Sequence, residues 1–223
     1  VGLVFPLTTL VAAFTNLFGM GGAPLFSIER GAGNDERAEK ILGNTFTMLF
    51  ASSFVIFALC YIFRKPVLYL FGASDASYVY ADEYLRIYLF GTTFTMLSTG
   101  LNGFINAQGF PKTGMMTTLI GALLNLILDP LFIFVSDMGV GGAALATIIS
   151  QAVSAVWVMH FLLSRKGKAA YHIKLSCMKP EWKLVGDITT LGMAGFIMQA
   201  TNCMVQVVCN ATLKVFGGDL YVG

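Results

Sequence analysis

Polar and apolar positions fall into blocks along this chain. Residues 1–28 carry no charge, nor do 41–63, 87–111, 138–164 or 188–213, and the run 113–136 carries one, Asp129. Each run reaches the ~20 residues an α-helix needs to cross ~30 Å of hydrocarbon. Several are longer, which predicts tilted helices or protruding ends. A buried soluble core can supply one such run, but six in series predict six membrane-spanning helices. The fold class is therefore an all-α membrane protein, a polytopic helical bundle.

The connections sort by charge. Segments 29–40 and 165–187, with Lys112, hold Arg30, Arg37, Lys40, Lys112, Arg165, Lys166, Lys168, Lys174, Lys179 and Lys183, ten of the fourteen Lys and Arg. The other side holds Arg64, Lys65, Arg86 and Lys214. The positive-inside rule places the first set in the cytoplasm, so the first helix enters inwards from outside. Segment 165–187 is expected to be a cytoplasmic linker, and 64–86, rich in aromatics, an outer interfacial loop. The turn near 136–139 is so short that its flanking helices must form an antiparallel hairpin. Composition agrees: 56% of residues are hydrophobic and 12% charged, against about 25% charged in soluble domains. The four cysteines have neither C-x-x-C nor metal spacing and read as thiols filling apolar space. The start at Val1 and the loop-like "GGDLYVG" end lead us to expect a piece of a longer protein, and no cleavable signal peptide is evident.

The candidate chemistry lies at "LLNLILDPLFIF", residues 123–134. Eleven of the twelve acids are expected in loops or within a turn of a span end; Asp129 alone lies well inside, ~12 Å below the outer end by helical rise. A carboxylate at such depth costs about 2.5–3.5 kcal/mol and usually faces a bundle interior or a wet cavity. Burial favours its protonated form and a bound cation its charged form, so it can take up a proton or a metal ion. The hairpin supplies its neighbours. With the turn centred near Met138, Asp129 and Thr147 are at equal depth, as are Asn125 and Gln151. Each i, i+4 pair shares a helix face, so Asn125, Asp129, Thr147 and Gln151 form one oxygen-rich patch suited to Na⁺ or a proton network. Pro130 cannot donate its helix bond and frees a carbonyl, so it is a candidate hinge. A lone carboxylate can also be an interhelical hydrogen-bond partner. The oxygen-rich neighbours, and the lack of a basic residue within the spans, favour the coupling role.

"GMGGA" (19–23) and "GVGGA" (139–143) are read as close-packing sites for helices. Neither carries the G-K-[ST] of a phosphate loop. Asn102 and Asn106 share a face of the third span, and Gln199, Asn202, Gln206 and Asn210 dot the last.

"GMGGAPLFSIERGAGNDERAEKILGNTF", "GFINAQGFPK", "NLILDPLFIF" and "MGVGGAALATIISQ" together resemble the bacterial multidrug and toxic compound extrusion (MATE) family. That resemblance implies a twelve-helix, two-lobe transporter. Residues 1–164 would be most of the N-terminal lobe (helices two to six), 165–187 the cytoplasmic inter-lobe linker, and 188–223 the first helix of the C-terminal lobe. It implies a cation-coupling site at Asn125, Asp129 and Thr147 with a backbone carbonyl near Ala143, holding H⁺ or Na⁺. An Asp on the family's helix one has no counterpart here. Asn102, and with it Gln151, would line the substrate cleft.

The expected function is a cation-coupled antiporter exporting amphipathic or cationic organic compounds by alternating access. No cofactor beyond the coupling ion is expected, nor enzymatic activity, nor a nucleic-acid partner. The full-length protein would be a monomer, multi-pass in the cytoplasmic (inner) membrane. A lipid-linked sugar flippase is the alternative; its cleft would be more cationic, and these spans hold no basic residue. An intramembrane aspartyl protease needs two facing aspartates, and only Asp129 qualifies.

Overall fold

The computed structural model describes residues 4–71, 73, 75–164 and 169–217. Arg165, Lys166 and Lys168 of the expected linker, the side chain of Lys214 and residues 218–223 of the expected last domain lie outside the described residues. Seven α-helices follow one another: α1 (Phe5–Gly31), α2 (Asp35–Ile62), α3 (Arg64–Leu70), α4 (Asp75–Ala107), α5 (Pro111–Pro130), α6 (Gly139–Leu163) and α7 (Trp182–Gly217). A π-helical turn, Leu131–Val135, extends α5, and a 3₁₀ turn, Leu175–Met178, precedes α7.

The six long helices are those the charge-free runs predict. Five are long and apolar enough to cross a membrane by length and composition. α4, with 33 residues, falls outside that set because its membrane-depth stretch carries Thr92, Thr93, Thr95, Ser98, Thr99, Asn102 and Asn106. The expected outer loop 64–86 is corrected. It is largely helical, comprising α3 and the first third of α4, because charged residues end a membrane run without ending a helix. The expectation for the acids is corrected with it. Asp82 lies inside α4, only 5% exposed, and is neutralised by Arg64 at 3.3 Å and Arg86 at 2.6 Å. A buried carboxylate persists when paired in this way.

α1 is the centre of the bundle and packs on α2, α4 and α7. Small residues make that possible. Gly19 lies against Gly100 of α4, Gly22 against Thr45 and Phe104, and Gly21 against the Ile188 carbonyl of α7, where an added Cβ would come within 2.0 Å. Gly192 of α7 approaches the Leu17 carbonyl more closely still. The close-packing reading of "GMGGA" therefore holds, and so does that of "GVGGA", whose Gly142 packs on the Phe132 backbone.

The described part of segment 165–187 is a strap across the ends of α1, α2 and α4. Gln108 and Tyr171 exchange two hydrogen bonds, Gln108 Nε2 to the Tyr171 carbonyl (3.2 Å) and the Tyr171 N–H to Gln108 Oε1 (3.1 Å). The Tyr171 hydroxyl donates to Asp35, its ring meets Phe26 edge-on, and Arg30 lies over it at 5.9 Å. Thr47 donates to the Met178 carbonyl, and Asn44 accepts from the Glu181 N–H. Lys174 pairs with Glu39, Lys40 with Glu181, and Arg37 with both Glu29 and Asp187.

Candidate ion and ligand site

The α5–α6 turn is as tight as the sequence predicts. Asp137 and Gly139 both adopt left-handed backbone (φ 51° and 53°), a conformation easy for glycine and tolerated by aspartate. The helices then run back antiparallel. Gly142 meets Phe132 near the turn, and Gly121 meets Ser154 far from it, so touching residues are nearly equidistant from Asp137–Met138. That register sets the predicted depths.

On this hairpin Asn125 Nδ2 donates to Asp129 Oδ1 at 3.1 Å. This leaves the amide oxygen of Asn125 and the second oxygen of Asp129 free as acceptors. Thr147 donates its hydroxyl proton to the Ala143 carbonyl at 2.9 Å, so its oxygen lone pairs also remain available while Ala143 is already engaged. Both asparagine and aspartate are half-buried, and among the described residues Asp129 has no ion pair. A carboxylate, an amide oxygen and a hydroxyl oxygen form a hard donor set that fits Na⁺ or a shared proton. No cluster of three or more His, Cys, Asp or Glu occurs among the described residues, so their side chains offer no transition-metal centre.

A polar cavity of about 270 Å³ runs between α4, α5 and α6. Asn125, Thr147, Gln151 and Asn102, four of the sequence-predicted residues, line it together with Ser98, Thr117, Ser150 and Ser154. Asp129, Ala143 and Pro130 are not in its lining; Asp129 reaches it through Asn125. Gln151 accepts from Ser98 at 2.9 Å, tying α6 to α4. Asn102 Oδ1 is buried without a hydrogen-bond partner, and a buried unmatched acceptor calls for a water or ligand donor. Both Asn102 and Asn106 lie over Gly114 of α5.

Ser98, Thr117, Ser150 and Ser154 escaped sequence reasoning, and so did a further contributor outside the lining. Tyr84 of α4, 8% exposed, places its phenol beside the Thr147 hydroxyl and near the Asp129 carboxyl. No spacing rule links residue 84 to residues 129 and 147; a buried tyrosine at the start of a span is the one available signal.

Pro130 ends the regular α-helix. The chain continues as a π turn in which the Ser136 N–H bonds the Leu131 carbonyl at 3.0 Å. The missing N–H of Pro130 is absorbed by widening the helix rather than by stopping it.

The model of the family described as MatE matches residues 1–131, more than half of the chain. The chain belongs to the MatE family. Among curated relatives, the multidrug export protein MepA of Staphylococcus haemolyticus is 27% identical over 97% of this chain and 48% of its own length. MepA of Staphylococcus aureus is 26% identical over the same shares. The chain thus spans about half the length of the curated relatives it matches. Among solved structures, the MATE multidrug transporter DinF-BH superimposes with a TM-score of 0.91 at 30% identity, over 99% of this chain and 49% of that one. An inward-facing multidrug resistance MATE transporter gives 0.93 at 24% identity over 99% of this chain and 50% of that one, a likeness of fold. The MatE chain is a multi-pass helical membrane protein, and its relatives are multidrug transporters, which are not enzymes.

Proposed function

We propose that this chain is about half of a cation-coupled exporter of amphipathic, often cationic, organic compounds, with Asp129 as the residue that takes up the driving H⁺ or Na⁺. The observation that carries this reading is the Asn125–Asp129 pair facing Thr147 beside a polar cavity at membrane depth. Ion uptake neutralises Asp129, alters its bond to Asn125, and acts on a helix already irregular at Pro130. The same pair borders the cavity lined by Asn102 and Gln151, so occupancy of the ion site and of the cavity can be coupled in free energy. Alternation between inward and outward states would follow from rocking of the two halves. The protein would act as a monomer in the cytoplasmic membrane, bind lipid bilayer and small organic substrates, and need no cofactor beyond the coupling ion. No basic side chain lines the cavity, which disfavours the flippase alternative with its anionic cargo.

The test is efflux of a cationic dye from proteoliposomes holding the full-length protein that carries this sequence, under an imposed proton or Na⁺ gradient. Gradient-driven efflux is expected in the wild type and not in Asp129→Asn. Equal efflux in both would remove Asp129 from coupling; no efflux in either would remove the exporter reading.

A further inference from the structure

The face shared by α2 and α4, at the end of the bundle opposite the strap, carries a continuous run of contacts that the ion site does not use. Arg64 and Arg86 converge on the buried carboxylate of Asp82. Arg64 also lies over the Tyr61 ring at 5.3 Å. Tyr61 stacks on Phe57 at 5.6 Å, and Phe57 meets Phe90 at 5.2 Å. Phe90 follows Arg86 by one helical turn on the same side of α4. Two guanidinium groups therefore stand above three aromatic rings. The charges at the top do not cancel: two arginines face one aspartate. Two guanidinium groups offer roughly ten N–H donors against about four acceptor positions on a carboxylate, so donors are left over as well. The Arg86 side chain is 51% exposed. Lys65, also exposed, adds positive charge in the first turn of α3. Glu83, the acid next in sequence, turns towards α6, where its carboxyl lies against Gly141.

The depth of these groups is set by the sequence. Arg86 is the last charge before the run 87–111, so it stands at the membrane boundary. Phe90 lies ~6 Å deeper by helical rise and is 64% exposed. α1 packs against both α2 and α4 but leaves these rings uncovered. Arginine suits phosphate because its planar fork binds two oxygens at once, and aromatic rings are at home where hydrocarbon meets headgroups. A soluble anion would gain nothing from the rings, and a neutral lipid nothing from the surplus charge. We propose that this face is a binding site for an anionic phospholipid. Its phosphate takes the surplus N–H groups of Arg86 and Arg64, and its glycerol and upper acyl chain lie along Tyr61, Phe57 and Phe90. The site uses neither the carboxylate nor the cavity of the exporter reading and stands independently of it.

The experiment titrates the full-length protein in detergent with phosphatidylglycerol or phosphatidylcholine and reads the tightest-bound lipid by native mass spectrometry, with glycerol phosphate as a soluble competitor. Phosphatidylglycerol should bind more tightly than phosphatidylcholine, and glycerol phosphate should not displace it. Arg86→Gln should raise the Kd of phosphatidylglycerol by about tenfold, the usual weight of a hydrogen bond to a charged group, and leave that of phosphatidylcholine within roughly twofold. Arg64 still neutralises Asp82 in that variant. Phe90→Ala, at an exposed position, should weaken both lipids alike, and it carries the test if Arg86→Gln does not fold. Equal affinity for the two lipids in the wild type would overturn the site. So would equal weakening of both by Arg86→Gln, which would mean a packing role. Unchanged phosphatidylglycerol binding in the variants, the result expected if another part of the full-length chain covers this face, would overturn it too. Displacement by glycerol phosphate would make the arginines a site for a soluble anion and sink the lipid assignment.

Discussion

α1 and α5 are both membrane-length helices, yet they are held in opposite ways. In its most apolar window α1 is 56% buried and α5 only 6%. α1 is gripped on three sides through glycines that leave no room for a methyl group. α5 touches α6 along one face, leans lightly on α4 and ends in a widened turn after Pro130. The helix that fixes the bundle carries its packing in backbone contacts. Within the described residues, the helix that carries the carboxylate is uncovered on most of its circumference. Close packing and the candidate carboxylate are placed on different elements, and the candidate site sits on a helix that this chain covers little.

The sharpest way to break this contrast is to add one methyl group to each side of it. Gly192→Ala should be severe, since its Cβ meets the Leu17 backbone at 1.7 Å and neither backbone can step aside. We expect at least the ~1–3 kcal/mol of ordinary overpacking, read as a lower melting temperature and poor recovery of monodisperse protein. Gly121→Ala on α5 meets only the Ser154 hydroxyl at 2.7 Å, a side chain that can rotate, and should cost about 1 kcal/mol or less. Equal losses at the two sites would erase the distinction.

Asp129→Asn sharpens it from the other direction. Coupled efflux should fall by roughly tenfold or more, within the range of typical coupling energies, while the melting temperature stays close to wild type. A large fall in stability would make Asp129 a structural bond between helices.

A smaller effect is expected at the strap. Gln108→Ala leaves the N–H and carbonyl of Tyr171 unmatched, worth about 1–3 kcal/mol locally. Hydrogen exchange should quicken over residues 169–178 and not in α1.

The smallest effect is one of pH. The phenol of Tyr171 is raised above its ordinary value, first by its hydrogen bond to Asp35 and then by burial and the charge of that carboxylate. A raised pKa means the contact is complete below the ordinary phenol value and is lost as pH climbs through the raised one. The strap should therefore loosen only in strong alkali, and Tyr171→Phe should abolish that step in an alkaline hydrogen-exchange series.

The membrane spans were legible because hydrocarbon length leaves a direct imprint on charge spacing. The joint placement of Asn125, Thr147 and Gln151 was legible because a short turn allows depth to be counted outward from it. Asp82 and the helical start of α4 were not, since charge marks where the membrane ends and says nothing of where a helix does. Tyr84 and the Gln108–Tyr171 exchange were hidden for a different reason: each joins residues far apart in sequence, with neither periodicity nor spacing to announce them.

The strap bears on how the protein can be divided. A connecting segment is the natural place to cut a chain, but residues 169–181 are bonded to α1, α2 and Gln108 just past α4, and the second turn of α7 is held by Arg37. A split ahead of residue 169 would hand those bonding groups to the wrong fragment. A split within α7, beyond Gly192, would keep them with the helices they hold, so co-expressed fragments cut there should reassemble more readily than fragments cut in the linker.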